Sequence, residues 1–277
     1  MRIRVGHSPD PDDAFMFYGI ASGRVDCGDF ELEQVLDDIE SLNRQALAGE
    51  LEVTAVSIHA YAHLADRYAL MPCGASMGDG YGPCVVARDA MSVDELAMKT
   101  IAVPGTLTSA YLALRLFLGR EFEFEVVPFD RILESVEQGR TDAGLLIHEG
   151  QLTYSKHGLT QVADLGVWWG ERTGGLPLPL GGNVVRKDLG RETMSRLTRI
   201  LGESIAYGLD HRKEALDYAI DFGRGLDEAL TDRFVGMYVN ELTRDYGERG
   251  RRAIERFLEE GHEAGLAPRL GAVEFVR

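Results

Sequence analysis

The sequence predicts an α/β protein with two domains around a cleft, and three observations support this fold class. Short apolar runs alternate with amphipathic stretches through the first half of the 277-residue chain, a pattern typical of parallel strands joined by helices. Two apolar strands flanked by Gly or Pro, within residues 82–103 and 175–188, bracket a segment with its own βαβαβ pattern. From residue 191 to 264 the pattern is helical.

The two bracketing strands predict that one domain is inserted into the other. Residues 1–88 plus 184–277 would form the larger, discontinuous domain, and residues 89–183 the smaller inserted one. Two connecting strands make a hinge, and a hinge between two domains makes a cleft.

The individual elements follow from local patterns in chain order. Strands are predicted where short apolar or alternating runs are bounded by turn residues, at 3–8, 30–36, the start of 53–68, 81–88, 100–105, 122–129 and 142–148. Helices are predicted at 12–23, 38–49, 53–68 from Ser57 onward, 109–119 and 131–139. Gly23 and Gly49 would end the first two helices.

Composition limits the classes of partner. The net charge of -16 would repel phosphate backbones and anionic lipid, so neither a nucleic-acid nor a membrane partner is expected. A basic, apolar leader and an 18-residue apolar run are both absent, which favours a cytoplasmic location.

Three cysteines without a CxxC pair predict reduced thiols rather than a zinc site. The sequence leaves a monomer and a homodimer both open.

The opening stretch HSPDPDDAF places His7 and three aspartates, Asp10, Asp12 and Asp13, close together. Metal ligation is one interpretation. The simpler one is a helix start, with Asp10 as N-cap, Pro11 at the first helical position and two carboxylates against the helix dipole. A direct ligand role for one of the acids stays open, because ligands in open α/β sheets sit at the carboxyl ends of strands.

Two further strand-to-helix turns carry polar side chains. In PGTLTSAYL, Thr108 and Ser109 stand at a helix start, where N–H groups and hydroxyls either cap the helix or cradle a carboxylate or phosphate. In AVSIHAYAHL, Ser57 stands at the second such turn. His59 and His63 lie on one helical face there, a spacing that permits zinc, but no HExxH glutamate is present, so a metal role is not favoured.

LLIHEG, residues 145–150, places His148 directly after an apolar strand. A histidine at a strand's carboxyl end can exchange a proton near neutral pH. A structural histidine is the alternative. The glycine-rich GDGYGP stretch lacks the phosphate-loop spacing and no dinucleotide fingerprint follows a strand, so no cofactor is expected.

A set of motifs in one order covers nearly the whole chain. They are SPDPDDAFMFYGI (8–20), VLDDIESLNRQAL (35–47), the Ser57 turn, YGPCVVAR (81–88), VPGTLTSAYL (103–112), DRILESVEQGRTDAGLLIHEGQLTY (130–154), GLTQVADLGVWWGERTGGLPLPLG (158–181) and EALDY (214–218). In these motifs the chain resembles the 1,4-dihydroxy-6-naphthoate synthase family, menaquinone-biosynthesis enzymes of the futalosine pathway.

The resemblance implies a type II periplasmic-binding-protein-like fold and a lyase that acts without metal or cofactor. It would convert cyclic dehypoxanthine futalosine to 1,4-dihydroxy-6-naphthoate. The family's catalytic histidine falls on His148, and its polar contacts to a carboxylate-bearing substrate fall on Asn43, Ser57, Thr108 and Ser109.

The chain departs from the family at its start, where Asp10 and Asp12 replace the Cys and Asn of the usual SPCPND. Two alternatives stay open. One is a cytoplasmic protein of the same fold that only binds an aromatic carboxylate, because fold alone does not decide function. The other is chorismate dehydratase of the same pathway, although the IHExxxTY and DLGxWW stretches fit the synthase better.

Overall fold

The computed structural model describes residues 1–223 and 226–277 as two mixed β-sheets covered by helices, with a cleft between the sheets. The strands are β1 (Arg2–His7), β2 (Glu31–Leu36), β3 (Val53–Ser57), β4 (Tyr68–Leu70), β5 (Ser76–Gly78), β6 (Cys84–Ala87), β7 (Ile101–Val103), β8 (Phe124–Val126), β9 (Ala143–Leu146), β10 (Thr160–Asp164) and β11 (Leu178–Arg186).

The helices are α1 (Pro11–Ala21), α2 (Ile39–Ala48), α3 (Ile58–Leu64), α4 (Val93–Leu96), α5 (Ser109–Leu118), α6 (Ile132–Glu137), α7 (Gly150–Thr153), α8 (Leu165–Thr173), α9 (Arg191–Asp210), α10 (Arg212–Ala219), α11 (Glu228–Tyr238), α12 (Glu241–Arg244) and α13 (Gly247–Glu263). Of the predicted helical stretch 191–264, residues 224–225 lie outside the described residues. None of the described helices combines the length and apolar character needed to cross a bilayer.

The larger sheet has the strand order β2-β1-β3-β11-β4, with β5 pairing to the first half of β11. β1 runs parallel to β2 and to β3, as the βα alternation predicts. β11 runs antiparallel to β3, β4 and β5, because it returns from the second sheet rather than following a crossover helix.

The smaller sheet has the order β10-β6-β9-β7-β8 and is also mixed. β6 pairs antiparallel with β9 and β10, so it belongs to this sheet. The sequence-based division instead placed residues 84–87 in the larger domain, which was to extend to residue 88. The pattern of an apolar strand is the same in either sheet, and pairing over a long sequence distance decides which sheet it joins. We therefore propose a border at Pro83 rather than after Arg88.

Three helices start immediately after parallel strands. α1 follows β1, α3 follows β3 without a gap, and α5 follows β7 through a short turn. Their N-termini consequently lie at the carboxyl edges of the two sheets, where the sheets face each other. α2, which packs beside β3, begins at the Asp38 cap and ends at Gly49 in the left-handed conformation at φ 75°.

Trp169 is fully buried in the larger hydrophobic core, and its indole N–H donates to the Pro177 carbonyl at 3.1 Å. Trp168 is partly buried and packs against the same core. Neither ring lines the cleft, so both tryptophans serve in packing. The cysteines are free thiols, with Cys73 and Cys84 buried.

Gly6 in β1 allows α2 to pack closely on the larger sheet. A Cβ at Gly6 would lie 2.6 Å from Leu51 Cδ1 and 2.9 Å from Leu42 Cδ2. We expect Gly6→Ala to lower the free energy of unfolding by about 1–3 kcal/mol, since overpacking forces side chains and backbone to shift. Gly170→Ala is the matched control, because a Cβ at this helical position meets nothing within 4 Å. Urea unfolding of both variants checks this; equal stability of the two would contradict it.

Candidate active site

The cleft between the sheets has a volume of about 100 Å³. It is bounded by the starts of three helices, by the residues after β9, and by the middle of β11. The polar and ionisable residues that line it are Ser8, Asp10, Asp12, Asp13, Ser57, Ser76, Thr108, Ser109, His148, Asn183 and Tyr238. Four of the five residues predicted for the site, Ser57, Thr108, Ser109 and His148, are therefore brought together.

The helix-start interpretation of the opening motif is confirmed. Asp10 occupies the N-cap position of α1, Pro11 follows at the first helical position, and Asp12 and Asp13 lie in the first turn. The Asp10 carboxylate, however, accepts no hydrogen bond from the helix backbone. It accepts one from Ser8 Oγ at 2.8 Å and lies 2.8 Å from His148 Nδ1 across the cleft.

His148 follows β9 and lies in the cleft wall, at the position that the sequence predicted. The Phe129 ring packs against its imidazole, with 4.0 Å between the ring centroids. Nδ1 faces Asp10, and Nε2 is buried without a hydrogen-bond partner among the described residues. Nε2 is therefore the ring nitrogen whose hydrogen-bonding capacity the protein leaves unused.

Asn43 contributes to the site indirectly. Its side chain is fully buried in α2 and does not line the cleft. Instead, Asn43 Oδ1 accepts from the Ser57 backbone N–H at 2.8 Å, and Nδ2 donates to Ser57 Oγ at 3.1 Å. Asn43 thereby fixes Ser57 at the start of α3.

The hydroxyls of Thr108 and Ser109 already have partners. Thr108 Oγ1 donates to the Gly105 carbonyl and accepts from the Tyr111 N–H, which is the capping role. Ser109 Oγ donates to the Leu180 carbonyl at 2.6 Å and accepts from the His59 N–H at 3.1 Å. The first N–H groups of a helix have no intrahelical acceptor. The backbone amides of Ser109 and Ala110 are therefore the natural anion donors at this wall.

His59 and His63 lie outside the cleft. The two ring nitrogens of His59 contact the Thr108 and Leu266 carbonyls, each at 3.3 Å. Burial, followed by the nearby His63, lowers the pKa of His59. This imidazole packs between two backbone carbonyls behind the start of α5.

The charge of the cleft is acidic. Among the described residues that line it, none is Lys or Arg. Burial, and then the charges of Asp13 and Asp10, raise the pKa of Asp12 well above its ordinary value. Burial also raises the pKa of Asp13, although nearby His7 and the Ser8 N–H, which donates to Asp13 Oδ2 at 2.7 Å, oppose this. The acidic turn is therefore less negative than three ionised carboxylates would be.

The raised pKa of Asp12 predicts a pH-dependent stability. The folded protein keeps this proton to higher pH than the unfolded chain, so ionisation destabilises the fold as pH rises above about 4. Asp12→Asn removes that cost. We expect its stability relative to the wild type to grow from pH 4 to pH 8, by about 1.4 kcal/mol for each unit of pKa shift relieved.

Asp79→Asn serves as the control with the opposite sign. The hydrogen bond from Arg249 is the main cause of a lowered pKa at Asp79, so this carboxylate stabilises the fold above its ordinary pKa and the variant loses that contribution. Urea unfolding at several pH values measures both differences. A difference for Asp12→Asn that stays flat with pH would contradict the prediction.

Metal ligation is less well supported by the geometry than a hydrogen bond. Asp10, His148 and Glu149 offer ligand atoms within 4.8 Å of one another. Two ligands of one tetrahedral zinc ion stand about 3.3 Å apart, given bonds of roughly 2.0–2.1 Å. The 2.8 Å between His148 Nδ1 and Asp10 Oδ2 fits a direct N–H···O bond instead.

Three residues that line the cleft were not predicted from the sequence. Ser76 donates to Asp12 Oδ2 at 3.4 Å. Asn183 of β11 donates to the Gly74 carbonyl at 3.0 Å. The Tyr238 hydroxyl at the end of α11 donates to Gln151 Oε1 at 3.0 Å, across the cleft. No local motif marks these residues, because each reaches the site through pairing with a distant segment.

Two mixed sheets with a cleft between them are typical of a periplasmic-binding-protein-like fold, and this chain has that fold. Solved structures with this fold include the alkanesulfonate-binding protein SsuA of Xanthomonas axonopodis pv. citri, with a TM-score of 0.71 over 98% of this chain and 96% of that one. The Candida albicans protein CA3427 gives 0.69 over 98% and 92%. The identities of 12% and 14% establish the fold alone.

The sequence profile of the menaquinone biosynthesis family matches residues 3–263, and the chain belongs to that family of enzymes. It is 45% identical to a 1,4-dihydroxy-6-naphthoate synthase of Thermus thermophilus, over 96% of each chain. It is 38% identical to one of Streptomyces coelicolor, over 97% of this chain and 96% of that one. A crystal structure from Archaeoglobus fulgidus is 48% identical, with a TM-score of 0.91 over 96% of this chain and 98% of that one.

Proposed function

We propose that the chain is a 1,4-dihydroxy-6-naphthoate synthase that converts cyclic dehypoxanthine futalosine to 1,4-dihydroxy-6-naphthoate. The observation that supports this most directly is the imidazole of His148 in the cleft wall, with an Nε2 that makes no hydrogen bond among the described residues. The names of the two bacterial relatives agree with it. The cytoplasmic location stays a prediction.

In the proposed reaction, Nε2 of His148 removes a proton from a carbon of the bound substrate. The C–H electron pair becomes a double bond of the second ring, and the bond to the sugar-derived fragment breaks with its pair on that fragment. The imidazolium can return the proton to the leaving fragment. Elimination then ends in an aromatic naphthoate, which makes the enzyme a lyase. A closed cleft assists by excluding water and fixing the distance between base and substrate.

The substrate carboxylate is proposed to bind at the wall formed by the starts of α3 and α5. The Ser57 hydroxyl and the amides of Ser109 and Ala110 are the donors there. Asn43 acts by holding Ser57, and Thr108 by capping α5. The raised pKa of Asp12 limits the repulsion of an anionic ligand by the acidic turn.

Incubating the purified protein with cyclic dehypoxanthine futalosine tests the proposal. We expect naphthoate to appear, as followed by absorbance and mass spectrometry, and to appear equally in EDTA. Chorismate is offered in a parallel reaction, and calorimetry with aromatic carboxylates measures binding. Consumption of chorismate would identify a dehydratase, and tight binding of an aromatic acid without turnover would identify a binding protein.

A further inference from the structure

A buried contact joins the two sides of the cleft. Asp10 lies at the start of α1, beside the larger sheet, and His148 lies at the end of β9 in the smaller sheet. Asp10 Oδ2 is 2.8 Å from His148 Nδ1, and the two side chains are 5% and 12% exposed. At this distance and burial the contact is a charge-assisted hydrogen bond rather than a solvated ion pair.

The contact determines which ring nitrogen carries the proton. An ionised carboxylate only accepts hydrogen bonds, so Nδ1 must be the donor. A neutral imidazole has one N–H, so Nε2 then holds the lone pair. Phe129 packs against the ring with the two planes tilted by 51°, and a flip of the imidazole would break the bond to Asp10.

The local role that the sequence suggests for Asp10 does not explain its conformation. An N-cap aspartate ordinarily accepts from the amide two or three residues further on. The Asp10 side chain makes no such bond, and Ser8 Oγ donates to the same Oδ2 that faces His148. Both contacts hold the carboxylate toward the cleft rather than toward its own helix.

We infer that Asp10 is a positioning residue for His148: it fixes the Nδ1–H tautomer, aims Nε2 at the ligand and stabilises the imidazolium formed during proton transfer. The kinetic consequences of this inference rest on the proposed function, whereas the tautomer does not.

The tautomer is tested first in the unaltered protein. Nitrogen NMR of protein labelled at the histidine ring nitrogens distinguishes a protonated from an unprotonated nitrogen. The signals of His148 are identified by their absence from the spectrum of His148→Gln. We expect Nδ1 protonated and Nε2 unprotonated when the ring is neutral. The opposite tautomer would overturn the inference, whatever reaction the protein catalyses.

The second test replaces Asp10 by the isosteric, uncharged Asn. Asp10→Asn can donate to Nδ1 and so permits the wrong tautomer. We expect a mixture of tautomers and a fall in kcat on the order of 10²-fold, with a much smaller change in KM. The double variant Asp10→Asn/His148→Gln should be no slower than His148→Gln alone, because a residue that acts through His148 has no further effect without it.

Glu137→Gln is the matched control. Glu137 Oε2 lies 3.4 Å from His157 Nδ1 in an exposed pair outside the cleft, so this change also removes a carboxylate beside a histidine. We expect kcat within about twofold of wild type. A wild-type rate in Asp10→Asn, or losses that add in the double variant, would refute the positioning role. An active His148→Gln with the predicted tautomer would refute the proposed base and leave the positioning intact.

Discussion

With glutamine in place of His148, turnover of cyclic dehypoxanthine futalosine is expected to fall by roughly 10²–10⁴-fold, the usual contribution of a general base. Glutamine preserves polarity and much of the volume but has no basic nitrogen. Ligand affinity should stay close to wild type, because the proposed carboxylate donors lie at the starts of α3 and α5. Single-turnover naphthoate release gives the rate, and calorimetry with an aromatic carboxylate gives the affinity.

His157→Gln is the comparison variant for this experiment. His157 is exposed and lies outside the cleft, and its nearest carboxylate is Glu137. Its loss should leave kcat unchanged. If His148→Gln retained the wild-type rate, another group would have to take the proton. If it lost rate and affinity together, His148 would be serving binding more than chemistry.

The second large effect is expected at Asn43, which is fully buried and makes both of its hydrogen bonds with Ser57. Asn43→Ala leaves the Ser57 N–H without its acceptor and opens a cavity under the cleft wall. Together these should lower the free energy of unfolding by about 2–4 kcal/mol. Ligand affinity should fall as well, because Ser57 loses the group that holds it.

Ser57→Ala separates these contributions. It removes the hydroxyl but keeps the backbone N–H donated to Asn43, so its cost in stability should be smaller, about 1 kcal/mol. Urea unfolding and calorimetry on the same preparations measure both quantities. A stability loss at Asn43→Ala no greater than that at Ser57→Ala would mean that the amide does not support the turn.

The part of the site that the sequence predicts consists of strand-to-helix turns. The start of α1 could be predicted because Asp10, Pro11 and the two acids of the first turn follow local rules of helix initiation. Thr108 was readable as a cap for the same reason. Parallel strands carry such turns to one edge of a sheet, so the convergence of these turns followed from the fold class.

The remainder depends on contacts between distant segments, which no local pattern encodes. The carboxylate of Asp10 faces a histidine from the other sheet instead of its own helix, so a correct N-cap assignment missed its partner. β6 was predicted as one of the two strands that connect the domains, and its pairing with β9 and β10 places it in the smaller sheet. Asn43 was predicted as a substrate contact from the family resemblance, whereas its position behind Ser57 depends on packing that the sequence does not show.

The Asp10–His148 bond and the neighbouring bond from Tyr238 to Gln151 both cross from one side of the cleft to the other. Swinging the walls apart would separate the imidazole from the carboxylate that orients it. Efficient catalysis would then be limited to ligands whose size and shape allow the cleft to close. A ligand that holds the cleft open would dissociate unreacted. Substrate specificity would therefore depend on closure as much as on any single contact.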